Sequence, residues 1–146
     1  MASYQGVVQC NKPAEAVFAY LAAFEHTSEW DPACSRAERT TTGELTTGSA
    51  FKLRFKAGGP VEMTLHYEIV EYAPPGRVRL RGGNGLLVSD DTITVEPTAG
   101  GSRVSYAALI ALKGPGALLD PLLALGFARV GDRSRDGLAQ RLARPI

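Results

Sequence analysis

Cysteine is scarce in this chain: two in 146 residues, Cys10 and Cys34. Neither stands in a Cys-x-x-Cys or beside a histidine, so a disulfide framework and a thiolate metal site are excluded. Reduced, half-buried thiols are expected, with a Cys10–Cys34 bridge as the minor alternative. An excess of one charge is also missing. The formal net charge is +1, which argues against a nucleic-acid partner and against an acidic tail. No apolar run approaches the roughly 20 residues that a membrane span needs. The opening residues Met1 to Gly6 have neither the charged nor the apolar region of a signal peptide, so a cytoplasmic location is expected. There is no His-x-x-x-His and no close set of carboxylates, hence no metal and no cofactor is expected. There is no Gly-x-Ser-x-Gly elbow either. The Gly-x-Gly patterns at Gly83-Asn84-Gly85 and Gly114-Pro115-Gly116 lack the strand–loop–helix setting of a phosphate cradle and read as turns. Neither repeats nor low-complexity segments divide the chain, so residues 1–146 are read as one domain.

What is present is a long C-terminal helix pattern from Gly116 to Pro145. Asp120 before Pro121 is an N-cap followed by proline at the first helical position. The stretch is long enough for a helix on the order of 35 Å. Leu119, Leu123, Gly126, Val130, Ser134 and Gly137 fall on one stripe, bordered by Leu122, Phe127, Leu138 and Leu142. Ala128, Asp132, Arg135, Ala139 and Ala143 fall opposite. Glycine inside a helix costs roughly 1 kcal/mol against alanine, so Gly126, Gly131 and Gly137 call for a reason. Either they leave a hollow beside the helix, or they let it lie close against a strand. Both readings stand at this point.

The rest of the chain is mostly strand. Ser3 to Cys10 forms a first strand before Asn11-Lys12-Pro13, and a helix opens there and ends near Ala23 or Phe24. A second short helix spans Glu25 to Asp31 and breaks at Pro32. From Cys34 onward the period is two. Phe51, Leu53 and Phe55 alternate with Lys52, Arg54 and Lys56, and Val61, Met63, Leu65, Tyr67 and Ile69 alternate with polar residues. Val78 and Leu80 follow, then strands over Leu86 to Glu96 and Arg103 to Leu112. Turns are expected at Gly58-Gly59-Pro60, Pro74-Pro75-Gly76, Gly82 to Gly85, and Pro97 to Gly101. Strands joined by tight turns make an antiparallel meander with one solvated face. The long helix covers the other face, which makes the class α+β.

That order of elements resembles the START-like or helix-grip superfamily, also called polyketide cyclase/dehydrase and lipid-transport (SRPBCC) proteins. The resemblance is carried by 13–21 (Pro-Ala-Glu-Ala-Val-Phe-Ala-Tyr-Leu), Trp30-Asp31-Pro32, Gly48-Ser49-Ala50-Phe51 and Tyr67 to Pro75. Gly100 to Tyr106, Lys113-Gly114 and Asp120-Pro121-Leu122-Leu123 complete it. It implies a curved antiparallel sheet of six to seven strands wrapped around the C-terminal helix, with two short helices after the first strand. It also implies an apolar cavity between sheet and helix that binds a small hydrophobic molecule.

Within that frame the cavity candidates are amphipathic aromatics, Trp30, Tyr67 and Tyr106, each with an apolar body and one hydrogen-bonding tip. Phe51, Leu53, Phe55, Met63, Leu65, Gly126, Phe127 and Val130 would line it. His26 and His66 read as surface residues. Asp90 and Asp91 are neighbours on a strand, so they point to opposite faces and cannot serve one substrate together. Solvated strand-end charges are the expected reading for both, with an inward carboxylate needing a partner as the alternative. Arg77, Arg79 and Arg81 share a face taken as solvent-facing, and Arg129, Arg133 and Arg141 border the helix stripe. No residue is assigned a catalytic role. The expected function is binding or transport of a lipid- or polyketide-like molecule by a monomer or homodimer. A polyketide aromatase/cyclase and a regulatory protein-interaction module are the alternatives.

Overall fold

The structure, a computed structural model, describes residues 2–56 and 62–146; of residues 118–125 it describes the backbone and not the side chains. The chain runs β1 (Ala2–Cys10), α1 (Ala14–Ala22), a single 3-10 turn (Phe24–His26) and α2 (Thr27–Trp30). Then come β2 (Cys34–Arg39), β3 (Ala50–Lys56), β4 (Glu62–Ala73), β5 (Arg77–Gly83), β6 (Leu87–Thr98) and β7 (Gly101–Leu112). A second 3-10 segment (Gly114–Leu119) leads into α3 (Asp120–Leu142). The turn expected at Gly58-Gly59-Pro60, and Val61, lie outside the described residues.

The strands form one antiparallel sheet in the order β1-β7-β6-β5-β4-β3-β2. β2 to β7 are a simple meander, and β1 returns to pair with β7, Ala2 opposite Ile110 and Cys10 opposite Ser102. The period-two pattern decides which face is covered. Along β6 the buried residues are Leu87, Ser89, Asp91, Ile93 and Val95, and along β5 they are Val78, Leu80 and Gly82. The other face carries charge pairs. Arg79 holds Asp90 with two hydrogen bonds at 2.9 and 2.7 Å, Arg81 lies 3.5 Å from the same carboxylate, and Arg77 lies 3.3 Å from Glu71. This is an α+β helix-grip fold.

α1 buries Val17, Phe18 and Leu21 against the inner face at β6 and β7. Phe24, in the turn that follows, meets Phe51 and Tyr67 edge-on with ring centres 6.0 and 5.0 Å away. α3 runs closest to β1 and α2 and stays off the middle of the sheet. Its buried face is Gly131, Leu138 and Leu142, with Phe127, Val130 and Ser134 half-buried. The expected stripe is thus rotated. Gly126 is exposed, Gly131 is buried, and Leu138 and Leu142, placed on the border, are among the most deeply buried of the described residues of the helix. Leu119, Leu122 and Leu123 fall among the side chains not described.

The helix glycines answer the two readings separately. A Cβ at Gly131 would overlap the Tyr4 ring of β1, and one at Gly137 would overlap the Trp30 carbonyl of α2. Those two permit close approach. At Gly126 a Cβ would meet nothing, because the helix there faces open space.

Candidate functional site

Holding α3 against the rim at β1 and α2 leaves a hollow of about 420 Å³ between helix and sheet. Its walls are chiefly carbon: Val8, Phe55, Met63, Leu65, Leu87, Val104 and Ile110 from the strands, Phe127, Val130 and Leu138 from α3. Gly126, Arg129 and Arg133 line it while remaining exposed, so it opens to solvent along that part of the helix.

Trp30, Phe55, Met63, Leu65, Tyr67, Tyr106, Gly126, Phe127 and Val130, named from the sequence, all border this space. Phe51 and Leu53 do not. Both are at most 1 % exposed, and they belong to the solid core, Phe51 beneath Phe24 and Leu53 in register with Ala37 and Leu65. Alternation tells which face they occupy; it does not tell that Phe24 of the 3-10 turn fills the room above Phe51.

The floor holds a hydrogen-bonded cluster that joins two of the aromatics named above to a carboxyl expected in solvent. Asp91, read as a solvated strand-end charge, is buried on the inner face of β6. Its Oδ1 accepts from the Ser89 hydroxyl at 2.6 Å and its Oδ2 from the Tyr106 hydroxyl at 2.5 Å. Tyr67, from β4, lines the same part of the hollow, and its phenol feels both the Asp91 charge and the Ser89 hydroxyl. The Tyr67 ring lies on Gly82, its partner across the β4–β5 ladder, where any Cβ would overlap the ring. Trp30 stands edge-on to Tyr106 with centres 5.7 Å apart. The signal for Asp91 was its parity with Leu87, Ile93 and Val95 on one strand. Asp90 points outward to Arg79, and the hydrogen bonds of that ion pair, with its charge, lower the Asp90 pKa.

Burial disfavours charge throughout the cluster. It pushes Asp91 up to about 6, against the opposing pull of the hydroxyls of Ser89 and Tyr106. It raises Tyr67 and Tyr106 well above the usual phenol value, with the Asp91 charge adding to the effect. Both phenols are therefore neutral hydrogen-bonding groups near pH 7, beside a carboxyl that changes charge just below it.

A second acid borders the hollow at the end of α2. Asp31 accepts from the Ala33 N–H at 2.9 Å and from the Ser134 hydroxyl at 2.8 Å, tying this corner to α3. Burial raises its pKa as well. Neither histidine reaches the hollow. His26, expected at the surface, is half-buried: its Nδ1–H meets the Tyr20 carbonyl at 2.8 Å and its ring stacks on Tyr20. His66 is exposed on β4. Cys10 and Cys34 are both free; burial pushes the Cys34 thiol up to about 12. Among the described residues, no three acidic, histidine or cysteine side chains gather as metal ligands. No described helix is long and apolar enough to cross a membrane.

A sheet gripping a terminal helix, with a lined hollow and a protic cluster at its floor, defines a class of protein by geometry alone. The chain belongs to the polyketide cyclase / dehydrase and lipid transport family, whose sequence model matches residues 1–143. No curated protein matches it in sequence. Among solved structures it is similar to the Zhui aromatase/cyclase of Streptomyces sp. R1128, with a TM-score of 0.74 at 11% identity over 96% of this chain and 90% of that one. The di-domain ARO/CYC BexL of the BE-7585A biosynthetic pathway gives a TM-score of 0.73 at 13% identity over 98% of this chain. This chain spans 50% of BexL's length. A protein of Thermus thermophilus gives 0.72 at 18% identity over 97% of this chain and 95% of that one. At these identities the likeness is one of fold.

Proposed function

We propose that this protein binds a small, largely apolar molecule in the hollow between sheet and α3, with an oxygen of that molecule meeting the Asp91–Ser89–Tyr106–Tyr67 cluster. The observation that carries this is the pairing of carbon walls with a buried group of convergent polar side chains. That is the make-up of a small-molecule site: walls supply affinity and a few polar atoms fix orientation. Native mass spectrometry of the purified protein, with quenching of Trp30 fluorescence on titrating fatty acids and aromatic polyketides, tests it. Saturable quenching is expected. Failure of every apolar compound to bind would instead favour a regulatory module, against which the charged ladder on the outer sheet face already argues.

A second reading, cyclase-type catalysis, is favoured by one feature: a carboxyl with a pKa near 6 touching a neutral phenol inside the hollow. The ionised Asp91 would take a proton from the carbon beside a substrate carbonyl. The Tyr106 or Tyr67 hydroxyl would donate to the oxygen on which the charge gathers. The carbanion would close a ring on a second carbonyl, and the proton would return to the new alkoxide, so nothing is oxidised or reduced. Turnover of a linear polyketide mimic, lost in Asp91→Asn and in Tyr106→Phe with binding retained, would promote this reading over simple carriage.

A further inference from the structure

We propose that the molecule taken up by this hollow carries an anionic group, a carboxylate or a phosphate, which rests at the mouth on Arg129 and Arg133. The proposal deepens the binding reading above and rests on it. It follows from accounting for each charge on the lining. Among the described residues, the acids there are Asp31 and Asp91, and the bases are Arg129, Arg133 and Arg135. Asp91 is satisfied by the hydroxyls of Ser89 and Tyr106, and Asp31 by Ala33 N–H and Ser134. Arg135 lies 3.8 Å from Asp132 and 3.4 Å from Asp136. Arg129 and Arg133 make no ion pair and no hydrogen bond among the described residues.

These two arginines are four residues apart on α3, hence neighbours on one side of the helix. Both border the hollow and both are exposed, so their guanidinium groups stand where water gives way to apolar wall. Val130, between them in sequence, is half-buried in that wall, and Gly126, one turn earlier, leaves the opening unobstructed. A molecule entering carbon-first would leave its charged end at this point. A carboxylate or phosphate there gains charge-assisted hydrogen bonds from planar guanidinium donors. A cationic end would be repelled, and a neutral one would gain little. Arginines that merely reach into water would show no such preference, and that difference is measurable.

The test titrates dodecanoate, dodecyl phosphate and methyl dodecanoate against the wild-type protein, following Trp30 fluorescence. The same titrations are repeated on the Arg129→Gln/Arg133→Gln double variant and on Arg135→Gln. The anions are expected to bind about tenfold or more tightly than the ester, as a charge-assisted pair at a partly dry site implies. The double variant should bring all three within about twofold of one another while leaving the ester unchanged, and added salt should weaken only the anions. Arg135→Gln, whose charge is already paired, should keep the preference. Whether dodecanoate or dodecyl phosphate binds tighter assigns the anion. An ester that binds wild type as well as the anions do, or a preference that survives the double variant, overturns the proposal and leaves the binding reading in place. Failure of all three probes overturns the proposal, and the binding reading falls with it only if the aromatic polyketides titrated above fail to bind as well.

Discussion

Asp91 is where the chemistry of this molecule is concentrated, and its burial has a consequence for stability that can be signed. A carboxyl whose folded pKa is about 6, against an ordinary value of 3.8, binds its proton more tightly folded than unfolded. The folded state therefore gains most below the unfolded pKa, and that gain is lost as pH rises through the folded one. The difference corresponds to about 3 kcal/mol for a group shielded from solvent. Asp31, also raised, acts in the same direction, while Asp90, lowered by Arg79, acts in the opposite one. The expected outcome is thus a difference. Urea unfolding of wild type and Asp91→Asn across pH 4 to 7 should show the wild type losing about 2–3 kcal/mol relative to the variant. Equal slopes for the two proteins would place the titrating group elsewhere. Tyr106→Phe removes one of the two hydroxyls that favour the ionised form, so it should shift the same window upward, read from the same titration.

At the scale of elements, the three glycines of α3 make the case that helix and sheet are held apart by where they touch rather than by bulk. Gly126→Ala adds a methyl group to open space and improves helix propensity, so it should stabilise the protein by about 1 kcal/mol. Gly137→Ala drives a methyl group into the Trp30 carbonyl, a backbone atom that cannot swing aside. It should cost about 1–3 kcal/mol, the usual range for overpacking. Opposite signs at two glycines of one helix, measured as shifts in urea midpoint, are the signature expected. The sequence showed that these glycines needed a reason but left two reasons open, because a missing side chain looks the same whether it faces a void or a neighbour. Periodicity carried more weight in the strands. It assigned the faces of Phe51, Leu53, Leu65 and Tyr67, since a pleated strand leaves no other choice. It failed where the answer depended on what lies above a face. Phe51 and Leu53 share the inner face with cavity residues yet are packed solid, Phe51 against Phe24 of the 3-10 turn, and no local pattern tells where that turn folds back. For Asp91 the alternative of an inward, partnered carboxyl is the one the structure takes, and the sequence favours the other for a related reason. Its parity with Leu87 and Ile93 was visible, but the Ser89 and Tyr106 hydroxyls that make a buried carboxyl tolerable come from its own strand and its neighbour, a match only the register supplies.

For the whole molecule, the central relation is between a complete core and an incomplete one. The half under α1 and the 3-10 turn is filled solid by Val17, Phe18, Leu21, Phe24, Phe51 and Leu53, all at most 2 % exposed. The half under α3 is not, and the residues facing its 420 Å³ lack partners on one side. Walls without neighbours forfeit dispersion energy, so anything apolar that enters should stabilise the fold. Bound molecule at about one hundred times its dissociation constant adds about 2.7 kcal/mol, which for a chain of this length raises Tm by roughly 5–10 °C. Val130→Trp should imitate the guest by placing an indole in the same space. It is expected to keep or raise Tm in the free protein, and to abolish both the ligand-induced rise in Tm and the binding itself. That pairing separates occupancy from collapse: a variant that merely damaged the fold would lose binding together with stability. A Val130→Trp protein that melts well below wild type, with no ligand-induced rise in Tm in the wild type either, would mean the space is already claimed by side chains, and that the grip of sheet on helix closes without room for a guest.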